Sequence, residues 1–104
     1  MSNLGIDWAK VRRERARLII LKALAEQTNG TLDSSMIEEI LAIFTIREER
    51  VWIHEQMEYL ERREAVNLTS AGSVKIATLT KVGRRHLDRD IAIEGVTRPS
   101  EPEN

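Results

Sequence analysis

Apolar positions recur at helical spacing through the first two thirds of this chain and then change to strand-like alternation. Val11, Leu18, Ile19, Leu21, Leu24 and Ala25 make an apolar stripe that thickens toward the C-terminal half of a first helix, which Asp7 can cap and Asn29-Gly30 ends. Met36, Ile37, Ile40, Leu41 and Phe44 line one side of a short second helix. Leu32 is a candidate hydrophobic staple before it, Asp33, Ser34 or Ser35 its cap, and Ser35 with Glu38 a capping box. Thr45, with Glu48 three residues on, can cap a third helix after almost no linker. In that helix, IREERVWIHEQMEYLERRE, Ile46, Ile53, Met57 and Leu60 fall within about 40° of one direction at ~100° per residue and face the core. Arg47, Val51, His54, Glu55, Glu58 and Arg62 occupy the opposite side, and Trp52 and Tyr59 share a flank. From Ala65 to Thr69 and from Val74 to Leu79, β-branched and apolar residues cluster around Ser-Ala-Gly-Ser, whose Gly72 suits a hairpin turn. Thr80 can cap a last helix, KVGRRHLDRD, in which Val82 and Leu87 make the apolar contacts. Gly83 weakens it by roughly 1 kcal/mol relative to alanine.

The order helix, helix, helix, strand, strand, helix predicts an α+β, mainly α fold: a winged helix-turn-helix with three helices, a two-stranded wing and a short C-terminal helix. One winged-helix domain over 1–94 is expected, followed by an extended or disordered tail over 95–104, which holds both prolines. The junction at Thr45 lacks the glycine usual in such a turn.

Net charge is -1, but its distribution matters more than its total. Residues 1–30 hold six basic side chains against three acidic, and residues 31–64 four basic against nine acidic, so the expected reading helix lies in the acidic third. Phosphate neutralisation supplies most sequence-independent DNA affinity, so such a helix binds weakly unless other parts add positive charge. The N-terminal half of the first helix, AKVRRERAR, is basic nearly all round and reads as a solvated extension, a phosphate-contacting arm or part of a partner interface. Cysteine is absent, which excludes disulfides and thiolate metal sites. No apolar run approaches the ~20 residues needed to span a bilayer, and the N-terminus lacks a signal-peptide core, so a cytoplasmic protein without membrane association is expected.

Catalytic chemistry finds little footing. His54 and His86 have no cysteine beside them for a zinc site, the serines sit where hydroxyls cap backbone, and the glycines are scattered rather than gathered into a phosphate loop. The expectation is therefore no enzyme, no metal and no cofactor. For double-stranded DNA, the strongest contacts are Arg47 and Arg50 near the start of the third helix, with His54 one turn on, since a guanidinium there can address guanine bidentately or bridge to phosphate. Ser73 and Lys75 on the wing, and Arg12 and Arg13 on the first helix, can add backbone contacts. Glu48, Glu55 and Glu58 beside them repel phosphate. Readers of this type commonly bind as symmetric dimers, and Trp8, Val11 and Arg15 offer a homodimer contact beyond what the core needs. The alternative is an interaction module that presents Trp52, Tyr59 and the acidic face to a phage or host protein.

Ala77-Thr78-Leu79-Thr80 with Gly83, and Gly95-Val96 with Arg98-Pro99, carry a resemblance to small proteins of Mu-like bacteriophages and prophages, loosely labelled ArsR-type transcriptional regulators. It covers roughly residues 16 to 100 and implies the winged-helix fold and a phage origin. The end of the third helix, YLERREAVNL, is bulkier and more charged than the endings common among winged helices and has no glycine before the wing.

Overall fold

Asp7 opens the first helix, α1 (Trp8–Ala25), by accepting the Lys10 N–H at 3.1 Å, and so satisfies one of the amide groups a helix start leaves without an internal partner. The computed structural model of the protein describes residues 4–100. Residues 16–21 of α1 are buried on every side, because α1 packs against every other helix and against the sheet. This burial includes Arg17, which the sequence places in the basic, solvated half.

Leu32, expected as a staple ahead of the second helix, is instead the centre of a short strand, β1 (Thr31–Asp33). Asp33 then caps α2 (Ser34–Ile43) by accepting the Met36 N–H at 2.9 Å. The Ser35 hydroxyl accepts from Arg50 rather than closing a capping box. The third helix, α3 (Arg50–Arg62), starts later than expected, and Thr45 does not cap it. Thr45 sits at φ 66 as the left-handed residue that ends α2, where its N–H meets the Ala42 carbonyl and the Ile46 N–H meets that of Leu41. These are the two bonds of a Schellman ending, which also packs the following apolar residue against the helix. Ile46 thus reaches the core as expected, at 4% exposure, but from the linker rather than from α3.

The same ending recurs after α3. Glu64 stands at φ 64 in the place a glycine usually takes, with the Ala65 N–H on the Leu60 carbonyl. This turn swings the chain into β2 (Val66–Ala71), joined by Gly72-Ser73 to β3 (Val74–Leu79). The turn is tighter than the four residues Ser-Ala-Gly-Ser, and Gly72 takes φ 62 at its first position, as hairpin twist favours. β1 pairs antiparallel with the other side of β3, Leu32 opposite Ala77, which gives a three-stranded antiparallel sheet of order β1-β3-β2. Thr80 caps the last helix, α4 (Lys81–Leu87), by accepting the Gly83 N–H at 3.1 Å. The described residues therefore form an α+β fold of four helices and this sheet.

Leu21, Leu24, Ile37, Leu41, Ile53, Met57 and Leu60 are buried in one core, with Ile40 and Leu79 partly buried against it. Residues 95–100, expected within an extended or disordered tail, carry no helix or strand, yet they are packed down. Val96 and Pro99 are buried, the Gly95 carbonyl accepts from Arg17 at 2.8 Å, and the Thr97 N–H donates to the Glu14 carbonyl at 3.2 Å. Residues 101–104, the rest of that tail, lie outside the described residues.

Two glycine exchanges should move stability in opposite directions. Glu64→Gly removes the cost of a left-handed non-glycine residue and should raise stability by about 0.5–1 kcal/mol. Gly83→Ala improves helix propensity but puts a β-carbon 2.4 Å from the Ala65 carbonyl oxygen, so it should lower stability by about 1–3 kcal/mol. Urea denaturation of the two variants checks both signs.

Candidate nucleic-acid interface

Asp33 takes the cap of α2, which leaves Ser34 to turn its hydroxyl inward. That hydroxyl is fully buried and holds two elements at once: it meets His54 Nε2 of α3 at 2.9 Å and accepts the Lys75 N–H of β3 at 3.1 Å. One residue on, Ser35 Oγ accepts from Arg50 Nη2 at 2.9 Å, while Arg50 Nη1 reaches Ser73 Oγ in the hairpin turn at 3.4 Å. Glu38 lies 3.9 Å from the same guanidinium, and Arg50 Nε is buried without a partner. Lys75 Nζ stands 3.6 Å from Glu58 Oε2 on α3. The N-terminus of α2, the first half of α3 and the hairpin are thus laced into one polar surface.

Four of the residues expected to touch DNA, Arg50, His54, Ser73 and Lys75, are brought together here. Their positions alter their roles. Arg50 is a brace between α2 and the hairpin rather than a side chain projecting from the helix start. His54 and Glu58, expected on the outer side of the third helix, are half-buried toward the hairpin, and the outer ridge of α3 is left to Val51, Glu55 and Arg62. Val51 is 71% exposed. Arg47 is exposed in the linker ahead of α3, in a cleft shared with Glu38, Ala42, Glu48 and Glu49.

Arg12 and Arg13 do not join this cluster. Arg12 Nε is bound to Glu48 Oε2 at 2.8 Å, tying α1 to the segment before α3. Arg13 lines a cleft with Arg17, Glu55, Gln56, Tyr59 and Arg62. Of the expected dimer contacts, Trp8 is 54% and Val11 37% exposed, and Arg15 is exposed beside them. Tyr59 is drawn into a structural role, with the Arg17 guanidinium 3.6 Å above its ring and its hydroxyl donating to the Glu94 carbonyl at 2.7 Å. Trp52 is half-buried against the core.

Ser34 escaped the sequence reading as a site residue. Three adjacent candidates could cap α2, and local spacing does not say which hydroxyl stays at the cap and which turns toward a hairpin 41 residues away. Among the described residues no three histidine or acidic side chains gather as a metal site, and no helix is long and apolar enough to cross a membrane.

Burial holds the His54 imidazole below its ordinary value of 6.5, reinforced by the nearby charges of Lys75 and Arg50 and opposed by Glu58. The cluster therefore carries a neutral ring at pH 7, able to share a hydrogen with Ser34. No protein-family model matches this chain, and no curated protein is significantly similar to it.

The depressed His54 value sets a pH dependence. A histidine that resists protonation in the folded state leaves the unfolded chain binding more protons, so stability is lost as pH falls through 6.5 toward the lower folded value. His54→Gln should flatten the loss of stability between about pH 7.5 and 5.5, above the range where carboxylates dominate. Urea midpoints of the two proteins across that window measure it.

Proposed function

We propose that this chain is a winged helix-turn-helix protein that binds double-stranded DNA and serves as a transcriptional regulator of phage origin. The observation that carries the reading is the docking of the β2–β3 hairpin onto the first half of α3 through Ser34, Arg50 and Ser73, which brings His54 and Lys75 together. The element order, three helices interrupted by a short strand and followed by a hairpin that pairs back onto it, supports the same reading. The resemblance of the two C-terminal motifs to those of phage proteins supports the proposed origin.

The outer ridge of α3, with Val51 and Glu55, is a poor match for phosphate. Contact with DNA therefore runs along the hairpin side, with Arg47, in the linker ahead of α3, addressing a base or phosphate and Lys75 a phosphate. The Lys75–Glu58 pair does not prevent this. A partly exposed ion pair is worth about 0–1 kcal/mol, so its exchange for a phosphate contact costs little. Affinity is modest and strongly salt-dependent, because few charges face the backbone.

A second reading, a module that binds another protein through the same helix, is favoured by the 71% exposure of Val51 beside Glu55 on the outer ridge. Fluorescence anisotropy with labelled duplexes separates the two. Arg47→Ala should cost about 1–3 kcal/mol and relax base preference, and Lys75→Ala should weaken all duplexes alike and reduce the salt slope by about one. Glu55→Gln should strengthen binding to random duplex. A folded protein that binds no duplex at low salt would replace the DNA reading with the protein-binding one.

A further inference from the structure

Two open clefts, of about 310 and 350 Å³, meet where α1 faces α3 and share Arg13, Arg17 and Tyr59. The first extends along α3 to Arg62, the second along α1 to Lys10. Arg17 is buried, and its Nε and Nη1 are engaged by Gln56 and the Gly95 carbonyl. Its Nη2 has no hydrogen-bond partner among the described residues and is not sealed from solvent. Burial disfavours this cation, and Arg13 and Arg62 stand close enough to disfavour it further, with Tyr59 and Glu14 opposing them. Carboxylates that could neutralise the group are at hand, yet none of the three arginines forms an ion pair among the described residues. Glu58 is drawn to Lys75 at 3.6 Å and Glu94 to Arg63 at 2.9 Å. Glu14 and Glu55 remain on the linings, so Lys10 and the three arginines, four cations, face two carboxylates without an ion pair.

The geometry points to a binding site for a terminal phosphate group, that of inorganic phosphate or of a small phosphate monoester, held by Arg13, Arg17 and Arg62 in the first cleft. A terminal phosphate carries about two negative charges and three acceptor oxygens, which matches three guanidinium groups. A carboxylate or a backbone phosphodiester brings a single charge and two such oxygens, and leaves one of the three unmet. Arg17 is pinned by Gln56 and Gly95, so it presents Nη2 without losing side-chain freedom when a ligand arrives. Arg13 is half-buried and Arg62 exposed, and both can close on the same anion. The second cleft leaves room for the organic part of an ester. The site requires neither the hairpin nor a duplex.

Heteronuclear NMR of the full chain, following the arginine Nε–H signals, tests the site. Inorganic phosphate, phenyl phosphate, dimethyl phosphate and acetate are titrated separately at about pH 7.5, with ionic strength held constant by sodium chloride. Inorganic phosphate or phenyl phosphate should shift the Arg17 Nε–H signal saturably, with a dissociation constant at least about tenfold below those of dimethyl phosphate and acetate. The tighter of the two tells whether the free anion or an ester is the better ligand. Arg13→Gln and Arg62→Gln should each weaken that binding about tenfold while the Arg17 Nε–H signal stays in place, which reports an intact Arg17–Gln56 bond. Arg15→Gln removes the same charge from an exposed position of α1 outside both clefts and should leave the affinity unchanged. The inference is overturned by the absence of a saturable shift with either phosphate, or by an Arg15→Gln loss equal to that of Arg62→Gln. Equal binding of dimethyl phosphate overturns it too, and would make the clefts a contact for a nucleic-acid backbone.

Discussion

A buried guanidinium organises one whole side of this molecule. Arg17 is 8% exposed, and among the described residues it forms no ion pair with a carboxylate. Its Nε donates to Gln56 Oε1 at 2.9 Å, its Nη1 to the Gly95 carbonyl at 2.8 Å, and its flat face lies on the Tyr59 ring. Burial lowers its pKa and neighbouring arginines Arg13 and Arg62 push the same way, but an arginine stays charged under any ordinary condition. The charge must therefore be met by fixed dipoles, and each acceptor comes from a different part of the chain. Gln56 is itself 2% exposed and held by the Trp52 carbonyl, so α1, α3 and the C-terminal segment are locked in one arrangement by a single side chain. An isolated buried cation costs several kcal/mol, so removing any acceptor is more disruptive than losing one hydrogen bond.

That arrangement explains the C-terminal motif physically. Gly95 stands at φ 82, and a β-carbon there would lie 1.9 Å from the Tyr59 hydroxyl, so only glycine lets the carbonyl approach Arg17. Val96 fills the core behind it, and the carbonyl of the buried Pro99 accepts from Arg89. His86, fully buried, holds the same segment from the other side. Its Nδ1 accepts the Ile93 N–H at 3.0 Å, which leaves the ring proton on Nε2 to donate to the Thr97 carbonyl. Gly-Val-x-Arg-Pro thus reads as a strap across α1, α3 and α4. Its low hydrophobic periodicity concealed this, because a segment tied down by main-chain carbonyls needs few apolar side chains.

The elements legible in the sequence were those with a period. The core residues Leu24, Leu41, Ile53, Met57 and Leu60 stand where a helical wheel puts them, and Asp7 and Thr80 cap as their chemistry predicts. β1 was not legible: three residues hold too little alternation to detect, and their pairing partner lies 47 positions away at Thr78. The helix junctions failed for a related reason. A left-handed residue is ordinarily announced by glycine, but here Thr45, Glu64 and Arg89 all adopt it, at φ 66, 64 and 65, and the surrounding Schellman bonds hold them there. Thr45 consequently looked like the start of one helix when it is the end of another. In the candidate site, Arg50, His54, Ser73 and Lys75 lie together, but how each is used depends on Ser34 and Ser35, whose direction is set by the hairpin and Arg50.

The charge segregation along the chain is partly undone by folding. The basic first helix and the acidic middle look like separate blocks, yet Arg12 binds Glu48, Lys75 faces Glu58 and Arg63 binds Glu94. Each pair reaches solvent, so each contributes little and exchanges readily for another partner. The field around α3 is therefore a set of weak pairs rather than a uniform acidic wall. At the hairpin edge the positive charge held in such a pair is that of Lys75, while the outer ridge presents Glu55 beside an apolar Val51. The acidic count of the middle third, taken alone, therefore overstates the negative charge left unpaired around α3.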